Sequence, residues 1–419
     1  MVLAFLIPLS LGWDQAATAG ITIMLIASST GVHESISKGI IRVVGTIIGA
    51  IIGLSLIAIF PQERVLYLVS LSIILSIIIY LYYAYRGDSS VFMLSAMVIM
   101  MIFLHGPENA FLYGLDRTFM TIFGIVIYTF VGVFLWPNHD KKEIDEESDF
   151  VTPSSEDVKF VLLDPDNFKA TLQLLSVFWS TTLFWIIFNP PGGFLLVILA
   201  TLLGLFTTFS PLKPSLLMAL LSFGFVFATL MYTFVLPNLV YSWELAIFIF
   251  TYSFIAFYFI PPKISIFFLI GMFLLGIDNT MNYNFALFLN ILLVFYLFLI
   301  ILMLFHNFPF STKPEHLFIK LKHSFINHLQ ALHNTKSESK KKFHLFYLKL
   351  NIQKMQLWSS KIDLKYFNNT TKEKLEHFIK ECELTIKKIQ TPLNDKEKKS
   401  IILHLNEQFD DSSLKVNRF

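Results

Sequence analysis

The sequence predicts an all-α, polytopic membrane protein of about twelve transmembrane helices, arranged as two parallel six-helix repeats and followed by a C-terminal helical bundle. Three observations carry this. Hydrophobic residues fill 55% of the 419 positions, charged residues only 15%, and the mean hydropathy is +0.64, a balance that excludes an ordinary soluble globule. Apolar runs of the roughly 20 residues that a bilayer-spanning helix needs fill nearly everything before Phe310. The charge divides at the same place: Lys and Arg outnumber Asp and Glu by 21 to 12 from Ser311 onward and are outnumbered 11 to 18 before it.

Runs broken by Gly, Pro, Asn and charge predict helices near 1–12, 15–30, 40–60, 65–83, 91–105 and 116–136, a first unit over 1–137. The opening run has no charged n-region and no small-residue cleavage site, so it reads as a membrane segment and not a secretory signal. It reaches little more than half a span before Trp13, which implies a truncated first helix with its start upstream of Met1, or a locally thin bilayer. An acidic, Ser- and Pro-containing linker occupies 138–168. A second unit over 169–309 then shows runs near 169–188, 193–209, 214–236, 240–260, 264–277 and 284–305.

The two sets read as one unit used twice. Trp13-Asp14 interrupts the first helix pair as Asn189-Pro190-Pro191-Gly192 interrupts the seventh and eighth, and Phe103-Leu104-His105-Gly106 falls where Phe273-Leu274-Leu275-Gly276 does. Because six is even, both halves enter from one face and the repeats are parallel. With both termini inside, the inner loops and flanks carry Lys38, Arg42, Arg86, Lys141, Lys142, Lys159, Lys169, Lys213 and Lys263, and the outer ones only Arg64 and Arg117. That asymmetry predicts cytoplasmic termini.

The tail, 310–419, reads as a cytosolic Lys-rich bundle. Pro314 opens a helix with Leu317, Leu321, Phe325, Leu329 and Leu332 inward; a second carries Leu348, Ile352, Met355, Trp358 and Ile362. Thr370 and Glu373 have capping-box spacing before a third helix with Leu375, Phe378, Cys382, Ile386 and Ile389, and a short fourth follows Asn394. Cys382 is the lone cysteine, so no intrachain disulfide forms.

No phosphate-cradling loop, nucleophile elbow or His-Glu-x-x-His motif is present, so neither an ATPase nor a familiar hydrolase is written here, and any power source is external. No cofactor, metal or nucleic-acid partner is expected; the tail histidines lack ligand spacing. Gly45, Gly49 and Gly53 recur every four residues beside Thr46 and Ala50, which predicts a helix-packing face. Arg42, just inside the membrane boundary, either contacts substrate or a gate, or snorkels to the cytoplasmic surface. Asp116 and Arg117 open the sixth helix on the opposite side; they are a second substrate or gating pair, or Asp116 is a plain cap. Gly224, in Leu221-Ser222-Phe223-Gly224, keeps a packing glycine without an arginine.

The run Arg42-x-x-Gly45-Thr46-x-x-Gly49-Ala50, with Arg117, Gly124 and the closing Trp136-Pro137, resembles the fusaric acid resistance (FUSC) family, which includes bacterial aromatic carboxylic acid exporters. The likeness covers the first half by motif and the second by architecture. It implies an inner-membrane exporter of small aromatic acids or related toxic anions, often working with a periplasmic adaptor. Arg42 is the first residue it carries over and Arg117 the second. Plant malate channels share a distant likeness in the helical unit, so an anion channel competes. A scaffold whose basic tail binds a cytosolic partner or anionic lipid is a third reading. The path would run between the two halves or between two protomers of a homo-oligomer.

Overall fold

The computed structural model describes residues 1–27, 32–85, 87–132, 160–161, 164–208, 214–279, 283–306, 313–335, 337–362 and 372–389. Among these there is no β-strand, only an isolated antiparallel bridge between Tyr85 and Phe160. The helices fall into two compact units, one holding the apolar helices and the other the tail helices.

In the apolar unit the helices are α1 (Val2–Leu11), α2 (Ala16–Ala27), α3 (Val32–Ile59), α4 (Arg64–Ala84), α5 (Ser90–Gly106) and α6 (Glu108–Phe130). They continue as α7 (Pro165–Phe188), α8 (Leu195–Thr207), α9 (Pro214–Asn238), α10 (Ser242–Phe259), α11 (Pro262–Leu274) and α12 (Phe285–Phe305). Seven of the described helices are long and apolar enough to cross a membrane: α4, α6, α7, α9, α10, α12 and the Gly39–Ile59 stretch of α3. Helices α1, α5 and α8 are apolar but shorter.

Local chemistry sets the boundaries. Helix α7 starts four residues before its apolar run, because the Asp164 side chain accepts from the Asp166 N–H and Pro165 fills the first turn, where a missing N–H costs nothing. Turns between paired helices use left-handed backbone: Gly12 (φ 70°) and Gln15 (φ 60°) between α1 and α2, Gly106 (φ 72°) between α5 and α6, Asn189, Gly192 and Gly193 between α7 and α8, and Gly276 (φ 61°) after α11. Gln15 is the unusual member, since a side chain bearing a Cβ is disfavoured there.

Close backbone approaches hold the helices together. A Cβ at Gly45 would lie 2.8 Å from the Val91 carbonyl oxygen, and one at Gly49 2.7 Å from that of Ser95; one at Gly53 would meet Ile102 at 2.9 Å. Both residue series ascend together, so α3 and α5 run parallel and nearly touch. Gly124 presses α6 onto α2 in the same way, 2.8 Å from the Ala19 oxygen, and Gly224 presses α9 onto α11, 2.9 Å from the Phe267 oxygen. Helix α4 packs on α7, α1 on α10, α5 on α8 and α2 on α11. Large apolar side chains, among them Phe5, Phe225, Phe268 and Phe298, fill the space between α1, α2 and α7–α12.

In the tail unit, α13 (Pro314–Asn334), α14 (Glu338–Ser359) and α15 (Lys372–Ile389) pack in sequence around Phe318, Phe325, Leu348, Met355, Trp358, Phe378 and Cys382. Burial and the flanking carboxylates of Glu381 and Glu383 push the Cys382 thiol up, which leaves it a packing group. Thr370 and the helix expected after Asn394 lie outside the described residues.

Candidate anion path in the first six helices

Two arginines define the polar interior of α2, α3, α5 and α6. Arg42 and Arg117 are each only 7% exposed, inside segments that are otherwise apolar. Around them lie the buried hydroxyls of Thr18, Thr22, Thr46, Ser95 and Thr121. The buried polar side chains of α7–α11 are neutral, such as Gln173, Thr181, Thr182, Thr201 and Ser253.

Arg42 donates through Nη1 to the Thr22 carbonyl oxygen of α2 at 3.1 Å, while its Nε is buried with no hydrogen-bond partner. The Asp88 carboxylate, at the head of α5, acts on it electrostatically, and its Oδ1 accepts from the Ser90 N–H at 2.9 Å. Since Gly45 meets Val91, Arg42 one turn earlier falls level with that carboxylate. Among the described residues neither arginine has a carboxylate within ion-pair distance.

Arg117 donates through Nη1 to the Tyr113 hydroxyl at 3.1 Å and points Nη2 at the Met97 sulfur, 3.4 Å away. Its guanidinium carbon lies 6.0 Å from the Tyr113 ring centroid, and that ring stacks on His105 at 3.9 Å. Gln15 donates to the Tyr113 carbonyl at 3.3 Å, and its own Oε1 is buried without a partner. Four of these neighbours, Tyr113, Met97, Gln15 and Thr22, were not singled out from sequence; only Tyr113 had a signal, its i,i+4 spacing to Arg117.

One expectation needs correction. Asp116 does not open the sixth helix. Gly106 makes the turn and α6 begins at Glu108, so Asp116 lies about two turns inside, where it is no N-terminal cap. Its electrostatic neighbour is Asp14, in the break between α1 and α2. Gly39 faces Ile125 and Gly114 faces Ala50, so α3 and α6 are antiparallel, and this register puts the two arginines on the order of 10 Å apart along the helices. Thr46 and Thr121 fall at intermediate levels.

The packing glycines Gly45, Gly49, Gly53, Gly124 and Gly224 lie at helix contacts, and Ala50 touches the Gly114 position. Thr46 is buried, 2% exposed, one turn beyond Arg42. The arrangement presents two fixed cations to a polar seam, a setting suited to an anion.

No curated protein and no solved structure matches the chain. The chain is a multi-pass helical membrane protein, and its residues 1–151 match the family model described as the Fusaric acid resistance protein family.

Proposed function

We propose that this protein is a transporter that carries small organic anions, aromatic carboxylates among them, out of the cytosol. The observation that carries the reading is the pair of guanidiniums, Arg42 and Arg117, buried in a polar seam without a carboxylate at ion-pair distance among the described residues. A buried cation left unpaired is costly, and a bound carboxylate removes that cost. The family description names resistance to fusaric acid, itself an aromatic carboxylate, which agrees with this chemistry.

Arg42 takes the anion from the cytoplasmic end and Arg117 receives it further along the seam. An inside-negative potential favours exit of each negative charge by about 2.3 kcal/mol per 100 mV, so no nucleotide-driven step is required. The setting is a bacterial inner membrane with both termini cytoplasmic, and a periplasmic adaptor continues the route. On this reading α1–α6 and α7–α12 are parallel repeats, and the packing pairs support it: α3 with α5 and α9 with α11, α2 with α6 and α8 with α12, α1 with α10 and α7 with α4.

The test is flux of radiolabelled aromatic acids from proteoliposomes, with and without an imposed potential. Saturable, potential-sensitive flux that collapses in Arg42→Ala is expected. Unchanged rate and affinity in Arg42→Ala would sink the reading, and unitary currents would replace the carrier with a channel.

A further inference from the structure

Asn290 sits on the outward face of α12, in the most apolar of the seven long spans. It lies five residues beyond Phe285, about 8 Å into the helix at 1.5 Å per residue, too deep for its short side chain to reach bulk water. Its neighbours on that face are Leu289, Leu293, Ile300 and Leu304, between 45% and 70% exposed, so the surface faces hydrocarbon and not an aqueous path. Among the described residues its carboxamide has no hydrogen-bond partner, whereas other carboxamides in the spans donate to backbone carbonyls, although the Gln173 Oε1 is itself buried without a partner. Asn167 donates to the Val161 carbonyl, Gln173 to those of Phe305 and His306, and Asn238 to that of Phe234. Asn109 stands in the first turn of α6, at the helix end.

A carboxamide exposed to lipid is costly, and it is self-complementary: one C=O accepts while one N–H donates. Two copies related by a two-fold axis along the membrane normal satisfy both side chains with a reciprocal pair of hydrogen bonds, and no other residue type is needed. We propose that the α12 face bearing Ala286, Asn290, Leu293, Leu297, Ile300 and Leu304 is a homodimer contact centred on an Asn290–Asn290 pair. The spacing of four and three residues along it matches a left-handed helix crossing, in which one polar position fixes the register.

Cysteine cross-linking of the full-length protein in native membranes tests this, with the wild type, whose Cys382 is buried, as the blank. Asn290→Cys and Leu293→Cys are expected to give a homodimer, and Ile51→Cys on the exposed face of α3 is expected to give none. In liposomes, Asn290→Leu should weaken self-association by roughly 3- to 20-fold while Asn290→Gln retains most of it. Asn290→Leu leaves an all-apolar lipid face and should not unfold the chain. Absence of the Asn290→Cys and Leu293→Cys homodimers, a cross-link to a different polypeptide, or unchanged association in Asn290→Leu would each overturn the proposal.

Discussion

The Tyr113 hydroxyl accepts from the Arg117 guanidinium at 3.1 Å, and the face of the same ring carries His105 at 3.9 Å. One aromatic side chain therefore holds a buried cation in place and ties the end of α5 to α6. A hydrogen bond to a charged group contributes about 1.5–3 kcal/mol, and losing one partner leaves the other's desolvation uncompensated.

Tyr113→Phe should accordingly lower the stability of the purified protein by about 1–3 kcal/mol, read as a fall in Tm in detergent. Removing both partners restores an apolar contact, so the Tyr113→Phe, Arg117→Met double variant should recover most of that loss in stability, while loss of the Arg117 cation abolishes anion flux. A double variant that keeps wild-type flux as well as stability would show that Arg117 is only a structural group.

The glycine contacts separate by distance. Gly49→Ala places a Cβ 2.7 Å from the Ser95 carbonyl oxygen, closer than backbone can tolerate, and Ser95 is itself fixed by hydrogen bonds to the Gly45 and Val91 carbonyls. The variant must push α3 away from α5, at about 1–3 kcal/mol for overpacking. Gly114→Ala is the control: its Cβ would sit 3.5 Å from that of Ala50, an ordinary contact, and helical Gly→Ala gains about 0.4–1 kcal/mol through the unfolded chain. Thermal unfolding of the two side by side should give shifts of opposite sign.

These two cases also mark how far the sequence could be read. The spacing of Gly45, Gly49 and Gly53 points to a helix contact because Gly every fourth residue has few other uses in an apolar helix, though nothing in it says that α5 is the partner. Hydropathy located the helix runs because each must satisfy its backbone internally. It failed at α6, where Pro107-Glu108-Asn109 looks like loop: Pro is favoured in a first helical turn, so the helix starts there and carries Asp116 inside. The proximity of Arg42 and Arg117 was illegible for the same reason, since it depends on the register of α3 against α6.

The tail unit carries its own pH response. His328 on α13 and His344 on α14 face each other with Nδ1 atoms 3.0 Å apart, and His328 stacks on Tyr347 at 4.8 Å. Burial, then the neighbouring His344, lowers the affinity of His328 for a proton; burial, then the Lys340 ammonium, lowers that of His344. A folded pKa below the unfolded value near 6.5 means the unfolded chain binds protons first. The pair therefore contributes its full stability above about pH 6.5 and loses it as pH falls through the lowered folded values. Protection of α13 and α14 from hydrogen exchange in the full-length protein, after correction for intrinsic rates, should be lower at pH 5 than at pH 7.5. His344→Gln should flatten that dependence by removing one titrating partner. A wild-type protection pattern that stays constant between those pH values would show that the two rings part without cost and that the pair is not holding the helices together.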